Sequence, residues 1–554
     1  MKTQFFNLFE NDFLAIFPEL FLIFSTIILL MYGVTYSTGF TGRPQPILIE
    51  NVGWIGLGIL GITLFLLNNN PLNNIVFFYN CLILDDFTFF FKNLLLIGSI
   101  FVIMISFDYL KQETINAFEY IILLLLSIGS MLLFISSYDF LSMYLTIEFQ
   151  SLCFYVIAAS KRNSEYSTES GLKYFILGAF SSGILLFGIS IIYGFTGITN
   201  FEELAKLTTS ENIGTGLILG MLFVAVGFLF KLTAAPFHMW APDVYEGAPT
   251  AVTAFFAVGP KIAILALFTR LFIYSGPFGS ILDISSGAIF PSFSGNFNGT
   301  TPSFAWEKIF VFCSIASMII GALSALSQQK IKRLLAYSSI GHVGYLLIGL
   351  TCASVEGIES LLVYLIIYII MTLNVFAIVL SLRVAAPKNR IRTFLQNSSV
   401  VGGVDSLAVS PNEKSFAVNE GMSTQIRYIS DLAMLAKTNP TLAIVLTISL
   451  FSMAGIPPLA GFCSKFYVFF AALGSSLYLL AFVGIFTSVI SCFYYIRLIK
   501  IMYFEKPTEI ISFEGIDKVK AFTIAFTSFF LVFFVFYPSP IFLLAHKVAL
   551  AITL

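Results

Sequence analysis

The chain has 554 residues, of which 58% are hydrophobic and only 11% charged, with a net charge of −1. A mean hydropathy of +0.92 excludes a water-soluble globule, and the near-neutral balance gives no footing for a nucleic-acid partner or a polybasic lipid-surface domain. Lipid is the solvent for most of this protein, so its few charges must be read by position.

A spanning helix needs roughly 20 apolar residues, and such segments recur almost from end to end, which excludes a single anchored soluble domain. The first residues carry Lys2, Glu10 and Asp12 with neither a cleavage motif nor an Arg-rich leader, so the N-terminus is expected to be retained. In chain order, spans are expected at residues 13 to 33, 53 to 68, 85 to 106, 119 to 137, 140 to 159, 171 to 195, 215 to 237, 250 to 273, 308 to 327, 335 to 352, 358 to 382, 441 to 471, 476 to 499 and 521 to 545. Gly56, Gly58 and Gly61 in the second span fit the dinucleotide pattern G-x-G-x-x-G. No strand precedes them, so a helix-packing stripe is expected instead.

Two polar stretches interrupt the pattern, Ser275 to Lys308 and Ala385 to Thr438. In the second, Ile426, Ile429, Leu432, Ala433 and Ala436 recur at helical spacing, which predicts an amphipathic helix along the membrane surface. Most of the 29 Lys and Arg fall in loops after odd-numbered spans, including Lys161, Arg162, Lys330, Lys332, Arg333 and Arg390. Lys206, Arg270 and Lys308 lie on the other side. This bias predicts an even number of spans, with the odd-to-even loops facing the compartment of synthesis and both termini facing away from it. The 63 Phe against 3 Trp fit an A+T-rich coding sequence and hint at an organelle genome.

Charges inside spans cost about 2.5 to 3.5 kcal/mol each by insertion scales, so each needs a partner, a watery cavity or a task. Lys92, just after Asp85 and Asp86, is expected to pair with them or to snorkel to the interface. Lys231 stands mid-span five residues before Pro236, which should break the helix beside the ammonium and free a carbonyl to solvate it. Lys465 repeats the arrangement after Pro457 and Pro458. Lys261 follows Gly259 and Pro260, and Glu148 lies mid-span in the fifth segment. A buried Glu near a buried Lys suits controlled proton release, and a static ion pair is the structural alternative for Glu148 and Lys231. His342 and Tyr345 share one face of the tenth span, where the histidine can serve either as relay or as interhelical contact. His238 is expected to shape the break beside Trp240.

The six cysteines are widely spaced and never form C-x-x-C, and neither a P-loop nor a hydrolase triad is seen. No metal site and no redox cofactor are expected on this chain. The broken seventh and twelfth spans are five apart, so spans 4 to 8 and 9 to 13 overlay as inverted repeats, each with a discontinuous helix. The expected fold is an all-α membrane protein of about 14 transmembrane helices. Its parts are a three-helix segment over 1–118, a first repeat over 119–274, a loop over 275–307, a second repeat over 308–500 that includes the 385–440 loop, and a last span over 501–554.

The segments FLFKLTAAPFHMWAPDVYEGAPT, KRLLAYSSIGHVGYLL and GIPPLAGFCSKFYVF, in this order and on these spans, resemble the antiporter-like membrane subunits of respiratory complex I, NADH:ubiquinone oxidoreductase, and most closely their chain 2 family. The resemblance covers nearly the whole chain. It implies a proton-translocating subunit whose neighbours in the membrane arm transfer the electrons, so that the chain belongs to an enzyme without itself binding a redox cofactor. By position it implies proton-transfer roles for Glu148, Lys231, Lys261 and Lys465, and for His342 and Lys332 around the tenth span. It further implies a multi-pass protein of the mitochondrial inner membrane, with the odd-to-even loops in the matrix and both termini toward the intermembrane space. The alternative is a related cation/proton antiporter subunit uncoupled from redox chemistry.

Overall fold

A backbone in lipid must pair each N–H and C=O within its own segment, and helices do this at every residue. The computed structural model describes residues 2–37, 46–72, 74–113, 118–208, 215–274, 303–352, 354–384, 424–505 and 515–553, and these are overwhelmingly helical. The first helices are α1 (Lys2–Ser37), α2 (Pro46–Asn68), α3 (Asp86–Gln112), α4 (Glu119–Ser136), α5 (Phe140–Ala158) and α6 (Glu165–Thr196). They are followed by α7 (Phe201–Thr208), α8 (Thr215–Leu232), α9 (Trp240–Gly247), α10 (Thr250–Tyr274), α11 (Ser303–Leu326), α12 (Ile331–Thr351) and α13 (Val355–Ser381). The last five are α14 (Pro440–Ala454), α15 (Ala460–Gly474), α16 (Tyr478–Phe504), α17 (Lys518–Phe533) and α18 (Ser539–Thr553).

Among the described residues, 12 helices are long and apolar enough to cross a membrane: α1 to α6, α8, α10 to α13 and α16. They coincide with expected spans 1 to 11 and 13. Expected span 12 consists of two half-helices, α14 and α15, on either side of the proline pair. Expected span 14 differs from the single helix read over 521 to 545. It is split into α17 and α18, because Pro538 cannot donate to the helical ladder and turns the residue before it away from helical geometry.

Sequence cues explain several helix starts. Asp85 caps α3, its carboxylate accepting from Thr88 N at 2.8 Å while its own N–H donates to Thr88 Oγ1 at 2.9 Å. Asp139 caps α5 by accepting from Leu141 N, and Ser354 caps α13 by accepting from Gly357 N. Short glycine-mediated contacts then draw helices together. A Cβ on Gly321 of α11 would lie 2.6 Å from Gly341 N of α12, so these backbones can touch only through glycine. The stripe expected in α2 is only partly realised: Gly56 packs against Ile121 and Leu125 of α4, whereas Gly58 and Gly61 face open space.

Burial ranks the helices. The apolar window of α10 is 100% buried, and α12 and α13 are nearly so, whereas α1 and α6 turn side chains such as Ile28 and Phe180 outward. The centre of the bundle is therefore α10, which carries Lys261, α12, which carries His342, and α13.

The amphipathic surface helix expected around Ile426 to Ala436 does not form. Thr424–Gln425 pairs with Arg383–Val384 as a short antiparallel ladder, Ile429–Leu432 makes a 3-10 turn, and Met434 adopts a left-handed φ of +59°. Ile331 N donates to Arg427 O at 3.1 Å and Ile429 N to Gln329 O at 2.9 Å, so the segment docks on the entry to α12. Ile426, Ile429, Leu432 and Leu435 are buried. The i, i+3 repeat is met by successive tight turns as well as by a helix, and backbone pairing decided between them. The remainder of the two long polar stretches, residues 275–302 and 385–423, lies outside the described residues.

Candidate functional site

The first break separates α8 from α9. Thr233 takes a φ of +68°, and Pro236 supplies no N–H. The end of α8 is closed by Thr233 N donating to Phe230 O at 3.1 Å, Ala234 N to Leu229 O at 3.0 Å and Trp240 Nε1 to Phe230 O at 2.9 Å. Lys231 belongs to that last turn. Its side chain leans back toward the start of α8, away from the carbonyls that the break exposes.

The Lys231 ammonium is buried and finds no hydrogen-bond partner among the described residues, standing 5.9 Å from the centroid of the Tyr155 ring. Glu148, on α5, accepts from Ser151 Oγ at 3.5 Å through Oε2, and its Oε1 is unpartnered. Among the described residues no ion pair within 4.0 Å joins Glu148 to Lys231, so the static salt bridge is not the observed geometry. Lys231 instead lines a cavity with Gln150, Ser151, Thr233 and Lys261, and Gln150 Oε1 and Thr233 Oγ1 are unpartnered too. Buried polar atoms of this kind call for water, which is the medium a proton needs. His238 sits in the break as expected, its carbonyl accepting from Ala241 N at 3.0 Å.

Lys261 lines that same cavity from α10, which runs unbroken through Pro260. Its ammonium donates to the Tyr368 hydroxyl at 2.7 Å and stands 4.8 Å from the centroid of the same ring. His342, on α12, is bound on both sides: Nδ1 lies 2.7 Å from the Tyr364 hydroxyl and Nε2 lies 3.4 Å from the Tyr495 hydroxyl. A second cavity has Tyr245, Ser338, Ser339, His342 and Tyr368 in its lining. A third continues from His342 past Tyr345, Tyr494 and Tyr495 to Lys465.

The second break separates α14 from α15 at Gly455, whose φ is +85°. Lys465 belongs to the helix after the break, so its backward-leaning side chain reaches the carbonyls that α14 leaves free. It donates to Met453 O and to Ala454 O, both at 2.9 Å, and lies 5.2 Å from the centroid of the Tyr345 ring. A Cβ on residue 455 would come within 2.9 Å of Lys465 Cδ, so glycine is required there for space as well as for its φ. Tyr345, read as sharing a face with His342, does so at 6.3 Å between ring centroids, and its hydroxyl lies 3.3 Å from Thr487 Oγ1.

Lys231, Lys261, His342 and Lys465 thus lie along one buried polar run, which the half-buried Glu148 joins at its start through Ser151. Lys332 stands apart from it: half-buried near the start of α12, it donates to Ala248 O at 2.9 Å. Beside it, Glu246 binds both Lys330 and Arg333, the latter at 3.2 Å, and Asp243 binds Lys173 at 3.2 Å. The hydrogen bond that the Glu246 carboxylate accepts holds the Lys330 ammonium above its ordinary pKa.

Lys92 does not pair with Asp85 or Asp86. It is 1% exposed and bound at 2.5 Å to Glu19 of α1, an ionisable residue inside the first span that the sequence reading passed over. Asp85 is taken by Arg270, at 2.7 and 2.6 Å to its two carboxylate oxygens. Arg270 is fully buried rather than placed in a loop. Tyr364 and Tyr368 were missed as well. Their signal was available, as two hydroxyls at i, i+4 in an otherwise aliphatic run.

Residues 137–299, 293–401 and 413–491 match the transmembrane family described as NADH:quinone oxidoreductase/Mrp antiporter. NADH-ubiquinone oxidoreductase chain 2 of Marchantia polymorpha is 54% identical over 99% of this chain and 100% of its own length. The protein of the same name from Arabidopsis thaliana is 50% identical over 100% of both. NADH-quinone oxidoreductase subunit N of Rhodospirillum rubrum is 40% identical over 89% of this chain and 88% of its own. In fold, a chain of respiratory complex I from Thermus thermophilus superposes with a TM-score of 0.70 at 24% identity, over 95% of this chain and 98% of that one. A chain of the Mrp complex from Dietzia does so with 0.72 at 18%, over 97% of each.

Proposed function

The chain belongs to the NADH:quinone oxidoreductase/Mrp antiporter family of membrane proteins, and from that premise we propose that it is a proton-translocating subunit of the membrane arm of mitochondrial complex I. The observation that carries the proposal is the buried run itself. Lys231, Lys261, His342 and Lys465 line three cavities in turn, Glu148 is joined to the first through Ser151, and a broken helix lies at either end. Each group can gain or lose a proton, and water or a hydroxyl can lie between them.

In this reading, partner subunits carry electrons from NADH to ubiquinone, and this chain holds no redox cofactor or metal of its own. Changes at those partners drive protonation along Glu148, Lys231, Lys261 and Lys465, with His342 in the middle of the path and Lys332 at its margin. The fold reads as 14 spans if α8 with α9, α14 with α15 and α17 with α18 each count as one discontinuous span. Residues 119–274 and 308–500 then form inverted five-span repeats, each with its broken helix fourth, behind the segment 1–118 and before 501–554. The loops after odd spans face the matrix and both termini the intermembrane space, as the Lys and Arg bias suggests. Neighbouring antiporter-like subunits and lipid complete the surroundings.

In complex assembled with Lys231→Met, NADH-driven proton uptake into sealed vesicles should fall by about tenfold or more. Normal uptake by assembled complex would sink the proposal. Isolation of the native chain separates the second reading: recovery without flavin and iron–sulfur subunits, in an assembly that exchanges sodium for protons, would favour the antiporter.

A further inference from the structure

Between Lys261 and His342 the polar run must cross from α10 to α12, and the side chain that fills the gap comes from α13. Tyr368 is completely buried, accepts from the Lys261 ammonium at 2.7 Å, and has its ring centroid 5.3 Å from that of His342. Tyr364, one turn earlier, already occupies His342 Nδ1 at 2.7 Å. Tyr368 and His342 also line one cavity, with Ser338 and Ser339 beside them and room for about one water. A phenol hydroxyl both accepts and donates, so it can receive a proton on oxygen while releasing its own. An aliphatic or simple aromatic side chain here would leave the ammonium without a way onward.

We propose that Tyr368 is the proton-transfer residue linking Lys261 to His342, an inference that rests on reading the chain as a proton translocator. In the step, a Lys261 N–H bond breaks as an O–H bond forms at Tyr368 Oη. The original Tyr368 O–H breaks, and its proton passes through one water in the shared cavity to a ring nitrogen of His342. Lys261 ends neutral, Tyr368 remains a neutral phenol and His342 ends as imidazolium. One proton has moved and no electron has.

The test compares complex assembled with Tyr368→Phe, with Tyr368→His and with Lys231→Met, scored for assembled amount and for protons taken up per NADH oxidised. Tyr368→Phe keeps the ring and removes only the hydroxyl, so it should assemble normally and lose about tenfold in uptake. Tyr368→His, which restores a group able to pass a proton, should recover most of the loss. Normal uptake by Tyr368→Phe alongside impaired Lys231→Met overturns the role of Tyr368 and leaves the function standing, whereas normal uptake by both overturns both. If Tyr368→Phe does not assemble, Tyr368→His decides: near-normal uptake supports the relay and lost uptake overturns it. Failure of both to assemble assigns Tyr368 to structural support and also overturns it.

Discussion

The two helix breaks use the same components, proline and lysine in one interrupted span, and reach opposite electrostatic outcomes. Lys465 follows its break, so its side chain leans back into the carbonyl end of α14 and is held by Met453 O and Ala454 O. That end also carries the negative pole of the helix dipole, which favours an ammonium. Lys231 precedes its break and leans away from it, and the Phe230 carbonyl there is held by Trp240 Nε1 and Thr233 N. One lysine is solvated by backbone and the other faces a cavity with Glu148 nearby. Position relative to the break, not its presence, decides whether the freed carbonyls serve the charge.

Removing the lysines should break the comparison most sharply. Lys465→Met would strand two buried carbonyls at about 1–3 kcal/mol each, while Lys231→Met removes an ammonium that has no partner to strand. Thermal unfolding of the assembled complex should therefore show a clear drop for the first and no drop for the second. Equal shifts would mean that both lysines are alike in the native state.

The two positive-φ residues should respond with opposite signs, by about 1 kcal/mol each. Gly455→Ala adds a Cβ at φ +85° and crowds Lys465, so it destabilises. Thr233→Gly relieves a β-branched residue at φ +68°, so it stabilises. Melting temperatures moving in the same direction would contradict the stated backbone geometry. The smallest effect is expected from Trp240→Phe, which deletes one of the two hydrogen bonds to the Phe230 carbonyl and leaves that from Thr233 N. A loss of about 0.5 kcal/mol in the same unfolding assay would match one hydrogen bond to a carbonyl that keeps a second donor, and an unchanged melting temperature would show that the indole contributes nothing there.

Much of the site was legible because charge in lipid is expensive, so Glu148, Lys231, Lys261 and Lys465 stand out in any apolar run. Hydroxyls are cheaper to bury, and Tyr364, Tyr368 and Tyr495 passed for packing aromatics although they hold His342 and Lys261 in place. Lys92 was conspicuous but its partner was not, and Arg270 was taken for a loop residue. Glu19 is 73 residues from Lys92, and Asp85 is 185 from Arg270, separations that no local pattern spans.

The sequence by itself determined that the chain lives in lipid, roughly where its helices run, and the breaks at Pro236 and at Pro457 and Pro458, because hydropathy and the missing proline N–H act locally. It did not determine the break before Pro538 or the unbroken course through Pro260. Tertiary structure alone decided which charges meet, which of two equivalent breaks solvates its lysine, and that the segment after residue 424 docks as turns rather than lying on the surface as a helix. Those outcomes depend on which helix faces which, and on the backward lean of side chains toward groups far away in the chain.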